Sequence, residues 1–156
     1  MRPILQQQLP VYAAALWWGS LSAIGFLAVP MLFAHLPTAS MAGQVAAKLF
    51  SAMTWVSLAC CFVLIFCFRP ARDGQEEAST SASPASPDAS WALALTGWIL
   101  AGAIVALLSE FGIAPRIIAR ENLALWHRIG TAMYAAQWLC ASVVMWKLAS
   151  RIQRPR

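Results

Sequence analysis

Four long stretches of the chain are almost free of charge. Apolar runs cover residues 9–34, 49–68, 91–113 and 126–146, uncharged except for Glu110 in the third and Arg128 in the last, and the polar positions gather between them. None of the runs alternates apolar and polar residues with period two, and each far exceeds the roughly 10 residues of a transmembrane strand. Each matches the ~20 residues a helix needs to cross a hydrocarbon layer of about 30 Å. The pattern therefore predicts four spanning helices, at about residues 9–34, 44–68, 91–113 and 126–148. The expected class is all-α: one integral membrane domain over residues 1–156, a four-helix bundle made of two helical hairpins, with the lipid bilayer as its partner.

Residues 69–90 break the pattern. They read RPARDGQEEASTSASPASPDAS and contain no Leu, Ile, Val, Phe, Tyr or Trp. Such a segment lacks the apolar area to offset its ordering entropy, so it is expected to be a disordered cytoplasmic linker between the hairpins. The first run, preceded by Arg2 and followed by Ser40-Met41-Ala42, shares features with a cleaved secretory signal. A signal's apolar region runs only roughly 7–15 residues, whereas this one continues past Pro30, so the first helix is expected to stay in the protein.

Composition sharpens the class. The chain is 60% hydrophobic and only 11% charged, where soluble domains carry about a quarter charged residues, and this excludes an ordinary soluble domain. The net charge of +5 is unevenly placed. If both termini share a side, Arg2, Arg69, Arg72, Lys147, Arg151, Arg154 and Arg156 lie there, against Lys48, Arg116, Arg120 and Arg128 on the other. Short loops rich in Lys and Arg stay in the cytoplasm, which places both termini there. The basic charge is then a topology device, and no nucleic acid is implied.

Two correspondences suggest an internal repeat. Phe26 to Pro30 and Phe111 to Pro115 both read Phe-x-x-x-Pro, and Lys48-Leu49-Phe50-Ser51-Ala52-Met53 resembles Arg128-Ile129-Gly130-Thr131-Ala132-Met133. Duplicated hairpins would give parallel halves related by an axis along the membrane normal. Pro30 and Pro115 lack an N–H, so the carbonyls of Phe26 and Phe111 are expected to lose their helical partners and the helices to kink or end there. Ala15, Gly19 and Ala23, and likewise Gly102 and Ala106, have the spacing that lets helices approach closely in lipid. Packing within the chain is the first reading of these stripes, and a homodimer seam the second. Trp91, Trp126 and Trp146 fall near the membrane boundaries, while Trp17, Trp18, Trp55, Trp98 and Trp138 lie deeper and are read as packing residues.

The chemistry-bearing residues collect at the outer ends of the helices: His35, Lys48, Glu110, Arg116, His127 and Arg128, with Arg120 and Glu121 beside them. Glu110 is the one acid inside an apolar span, about one turn from its outer end. Intramembrane acids have a partner as a rule, and Lys48, Arg116 and Arg128 are at similar depth. Either a structural ion pair or a proton relay follows. His35 and His127 share this side, with Met31, Met41 and Met133 nearby; imidazole and thioether suit copper, and two imidazoles suit a haem iron. Neither spacing matches a known metal signature, so no cofactor is predicted, and copper or b-type haem at His35 and His127 is the alternative. Cys60, Cys61, Cys67 and Cys140 lie within spans and are read as small hydrophobes, without a disulfide framework. The chain contains no G-x-S-x-G, P-loop or dinucleotide fingerprint, and no catalytic residue is assigned.

Phe33-Ala34-His35-Leu36-Pro37, followed by Gly43 and Lys48-Leu49-Phe50, resembles the first hairpin of the transmembrane protein 205-like family and its bacterial members, which carry a domain of unknown function. Pro115, Trp126-His127, Tyr134 and Gln137 resemble the second hairpin, although Arg128 stands where relatives often have Gly. The resemblance implies a four-helix membrane protein and no established reaction, and the animal member's link to drug and metal-compound tolerance implies transport or trafficking. The expectation is a non-enzymatic multi-pass protein of the bacterial inner membrane. The alternatives are the metal or haem protein above and a small-solute or proton-coupled transporter around Glu110, which would require a homo-oligomer.

Overall fold

The computed structural model describes residues 4–68, 87–119 and 121–152, with side chains for 8–68, 90–119 and 121–151. Among these residues there is no strand. The first span is α1 (Ile4–Ala23), a π-helical turn π1 (Ile24–Ala28) and α2 (Val29–His35); the second is α3 (Ala39–Cys67). The third is α4 (Pro87–Leu107), a second π turn π2 (Leu108–Ile113) and α5 (Ala114–Ile118); the fourth is α6 (Leu123–Ile152). Four helices are thus long and apolar enough to cross a membrane, over Gln8–His35, Ala39–Cys67, Ser90–Ile118 and Leu123–Arg151.

Local chemistry sets the helix ends. Pro37 forces Leu36 into extended backbone (φ −83, ψ 144), which stops α2. Thr38 then caps α3, its hydroxyl accepting from the Met41 amide at 3.2 Å. The run Ser40 to Gly43 is therefore the first turn of α3. Asn122 takes the left-handed conformation (φ 40) that its short polar side chain tolerates, and its carbonyl receives the first amides of α6, from Leu125 at 2.9 Å and Trp126 at 3.2 Å. Of the linker expected over 69–90, residues 69–86 lie outside the described residues. The remainder, from Pro87, is the first turn of α4, where a missing amide costs nothing.

Of the two expected outcomes, a kink or an end, neither Pro30 nor Pro115 gives the second: each helix continues through its proline. The turn before each proline widens instead. The Val29 amide reaches back five residues to the Ile24 carbonyl, and the Ala114 amide to the Ser109 carbonyl. In a bilayer the chain has no water to satisfy broken amides, so adding a residue to one turn is cheaper than leaving the helix. Because the helix continues to Ile118, Glu110 lies about 12 Å from that end at 1.5 Å per residue, deeper than the single turn expected.

The helices pack as a square in the order α1, α3, α4, α6, each neighbour antiparallel to the next. Side chains bridge both diagonals. Trp17, fully buried, lies against Gly102, and Gln137 Nε2 donates to Ser57 Oγ at 2.9 Å. These contacts reveal the repeat. At the spacing that carries Pro30 onto Pro115, the buried residues Pro10, Ala14, Trp17 and Leu21 fall on buried Leu95, Ile99, Gly102 and Ala106, and of the buried positions on α1 only Ala13 falls on an exposed one, Trp98. At the spacing that carries Lys48 onto Arg128, the buried residues of the second half of α3, Ser57, Cys60, Cys61 and Leu64, fall on buried Gln137, Cys140, Ala141 and Val144, while those of its first half, Ala42, Ala46, Met53 and Thr54, fall on exposed or half-buried positions. Trp17 thus touches its own counterpart, and so does Ser57. Equivalent residues meet only beside an axis, so the two hairpins are related by a pseudo-two-fold running down the bundle.

Outside this core the surface is oily. Phe62, Leu93, Ile118 and Trp146 are each more than 70% exposed, and such a belt suits hydrocarbon rather than water. Trp55 and Trp98, read from the sequence as packing residues, point outward with them. The stripe Ala15, Gly19 and Ala23 is also not a seam within the chain: Ala23 is exposed, and a Cβ on Gly19 would meet nothing within 4 Å. The packed face of α1 is Ala13, Ala14, Trp17 and Leu21.

α1 and α6 are further laced by reciprocal bonds. Trp18 Nε1 donates to Ser142 Oγ at 3.0 Å, and Trp138 Nε1 to Ser22 Oγ at 2.9 Å. Hydrogen bonds and close packing, not apolar burial, are what join helices in lipid.

Candidate functional site: a polar column with a carboxylate

Ser51, Thr54 and Ser57 recur every third residue on α3 and so line one of its faces. Ser57 and Thr54 are buried and Ser51 is half-buried. From α6, Tyr134 and Gln137 meet this face: the Tyr134 ring packs on Phe50 with centroids 5.2 Å apart, and Gln137 donates to Ser57. From π2, Glu110 completes the column. Its Oε1 accepts the hydroxyl of Ser51 at 2.5 Å. Thr54 returns its hydroxyl to the Phe50 carbonyl.

The cations expected beside Glu110 are elsewhere. Arg116 donates to the Gly112 carbonyl at 3.3 Å and lays its guanidinium over Trp126, 4.4 Å from the ring centroid. Lys48 and Arg128 are exposed. Among the described residues, the partner of the Glu110 carboxylate is a neutral hydroxyl and not a cation.

Tyr134 performs a separate task. Its hydroxyl donates to the Leu21 carbonyl at 2.6 Å, and the Gly25 amide is the backbone group facing the same oxygen. Residues 21 and 25 would be bonded to each other in an unbroken α-helix, so the phenol is inserted into the ladder of the first span where it widens into π1. Only glycine fits opposite it: a Cβ at Gly25 would stand 2.5 Å from Tyr134 Cε1.

The histidines are placed differently. His35 Nδ1 lies 3.0 Å from the Met31 carbonyl of its own helix, and α2 packs on α3. His127 is exposed. Among the described residues no three His, Cys, Asp or Glu side chains gather as a metal site. The four cysteines are free thiols, with Cys60, Cys61 and Cys140 buried in the core. The expected outer cluster is therefore divided, with Glu110 directed inward to Ser51 and His35, Lys48, Arg116, His127 and Arg128 at the rim.

Residues 12–124 match the domain of unknown function DUF4149. The chain belongs to that family. The family match covers more than half of the chain and includes both π turns, Ser51 and Glu110, and stops before most of α6. No curated protein and no solved structure matches the chain.

Ser51, Thr54 and Ser57 did not stand out as site residues in the sequence. Their period-three spacing on one apolar helix was the available signal, and it is easily lost because hydroxyls are common in membrane helices.

Proposed function

We propose that this DUF4149 protein is a non-enzymatic multi-pass protein of the bacterial inner membrane that handles a small solute at the polar column, in the manner of a proton-coupled carrier. One observation carries the reading. The only acid in the four spans is half-buried two turns inside its helix end and is bonded to a hydroxyl without a neutralising cation among the described residues. Desolvating a carboxylate is expensive, and a purely structural acid at this depth would be expected to sit in an ion pair. The resemblance to transmembrane protein 205-like proteins supports a transport or tolerance role, and the fewness of the helices favours a homo-oligomer as the working unit.

The test is proton movement in proteoliposomes loaded with a pH-sensitive dye. The parent protein is expected to give protein-dependent flux and Glu110→Gln to lose at least about a hundredfold of it, the lower end of what a positioned proton-transfer group contributes. Equal flux in the variant, or none in the parent, would remove the relay.

Both termini are cytoplasmic on this reading, from the seven-to-four bias of Lys and Arg. A periplasm-active reporter fused after Arg156 is expected to be silent, and an active one would reverse the orientation.

A further inference from the structure

The two π turns occupy counterpart places in the two halves, yet they are completed in different ways. Five residues before Pro30 stands Gly25; five residues before Pro115 stands Glu110. At π1 the phenol of Tyr134 enters, bonds the Leu21 carbonyl and fills the space beside Gly25. The residue that corresponds to Tyr134 in the other half is Thr54, whose hydroxyl is spent on its own helix at the Phe50 carbonyl. So π2 receives no such plug.

What π2 offers instead is oxygen. The Ala114 amide is committed to the Ser109 carbonyl, and the next position is Pro115, which has no amide. The Glu110 carbonyl, like the Gly25 carbonyl before Pro30, therefore has neither an α nor a π donor, and what sets π2 apart is the side chain beside it. The Glu110 carboxylate adds two oxygens and Ser51 a hydroxyl. Ser109 Oγ, in the same turn, is buried with no partner, although Ser22, Thr96, Thr131, Ser142 and Ser150 all return their hydroxyls to the carbonyl four residues back. Unbonded carbonyls at membrane depth persist where they face protein or a filled cavity.

Carboxylate, carbonyl and hydroxyl oxygens suit hard cations, and helix interruptions that expose carbonyls are the sites where membrane carriers hold Na⁺ or H⁺. Charge limits the choice. One carboxylate supplies one negative charge, and no second acid lies in the spans; a divalent ion would leave an unbalanced charge in low dielectric.

We propose that π2 is a binding site for a small hard monovalent cation, Na⁺ or H⁺, held by the carboxylate and main-chain carbonyl of Glu110 together with Ser51 Oγ. The proposal rests on the polar column being the functional part of the protein. The charged and titratable groups on the elements packed around π2 at this end are Lys48 on α3, Arg116 on α5, and His127, Arg128 and Tyr134 on α6. Arg116 is held by Trp126 and Tyr134 by Leu21, and none of the five bonds Glu110 among the described residues.

The experiment is the thermal midpoint of the purified full chain in detergent, titrated with NaCl against choline chloride at fixed pH, then with acid in choline. Binding to the folded state should raise the midpoint by roughly 5–10 °C at a hundredfold excess over Kd. A Na⁺-dependent rise identifies Na⁺ as the occupant; a rise with acid alone identifies the proton. Either must vanish in Glu110→Gln and require about tenfold more cation in Ser51→Ala, which also serves should the glutamine variant fail to fold. A midpoint indifferent to both titrants, or an unaltered response in these variants, overturns the site. Cation-dependent stability without proteoliposome flux would overturn the transport reading alone; flux without cation-dependent stability would overturn the site alone.

Discussion

Gly102→Leu is expected to lower the thermal midpoint of the purified protein by roughly 10 °C, or to leave no monodisperse protein at all. In an exposed helix the removal of a glycine would stabilise by roughly 0.5–1 kcal/mol, so the expected sign is opposite to the propensity effect. It reverses because even a Cβ at Gly102 would stand 2.5 Å from Cη2 and 2.6 Å from Cζ2 of Trp17, with Cys140 Cβ at 3.3 Å on another side. Trp17 is fully buried, so any swing of its ring must displace neighbouring side chains of a close-packed interior. Overpacking of this kind costs about 1–3 kcal/mol and sometimes more, at roughly 2–4 °C per kcal/mol for a chain of this size. Gly102→Ala should show a smaller loss, and Trp17→Phe in the alanine background should recover part of it. A leucine variant as stable as the parent would mean that the diagonal contact, and with it the placement of the pseudo-two-fold axis, is wrong.

How far the sequence already contained this arrangement depends on which solvent a residue faces. The four spans were legible because oily runs of such length have one stable form in lipid. Their ends were less so: Thr38 and Asn122 start helices ahead of the apolar runs by bonding backbone amides, and Pro87 starts α4 within what composition marks as linker. The inward and outward faces were largely hidden, because lipid and protein interior ask for the same apolar side chains. Trp17 and Trp55 look alike in sequence, yet one is the centre of the core and the other is 60% exposed. The prolines were legible as interruptions, but their result, a widened turn in place of a break, depends on the absence of water around them. Glu110 was visible at once. Its hydroxyl partner was not, since charge draws attention to Lys48, Arg116 and Arg128 and Ser51 carries none.

The insertion of Tyr134 into the first span yields the second large effect, and it has a signature that simple loss of packing lacks. Tyr134→Phe keeps the ring against Phe50 but removes the bond to the Leu21 carbonyl, and is expected to cost about 1 kcal/mol, within the range for hydrogen bonds between membrane helices. Gly25→Ala should cost more, roughly 2–3 kcal/mol, because a Cβ there meets Cε1 at 2.5 Å and both Cζ and the hydroxyl oxygen at 3.1 Å, so the ring must leave and the bond is lost with it. Once Gly25→Ala has expelled the phenol, there is little for a second change at Tyr134 to remove. Tyr134→Phe in the alanine background should therefore add almost nothing, a coupling of about 1 kcal/mol in a double-mutant cycle. Thermal midpoints of the four proteins, measured in one detergent, give the cycle directly. Strictly additive losses would show that the phenol and the glycine act independently, and the first span would then widen at π1 through Pro30 alone.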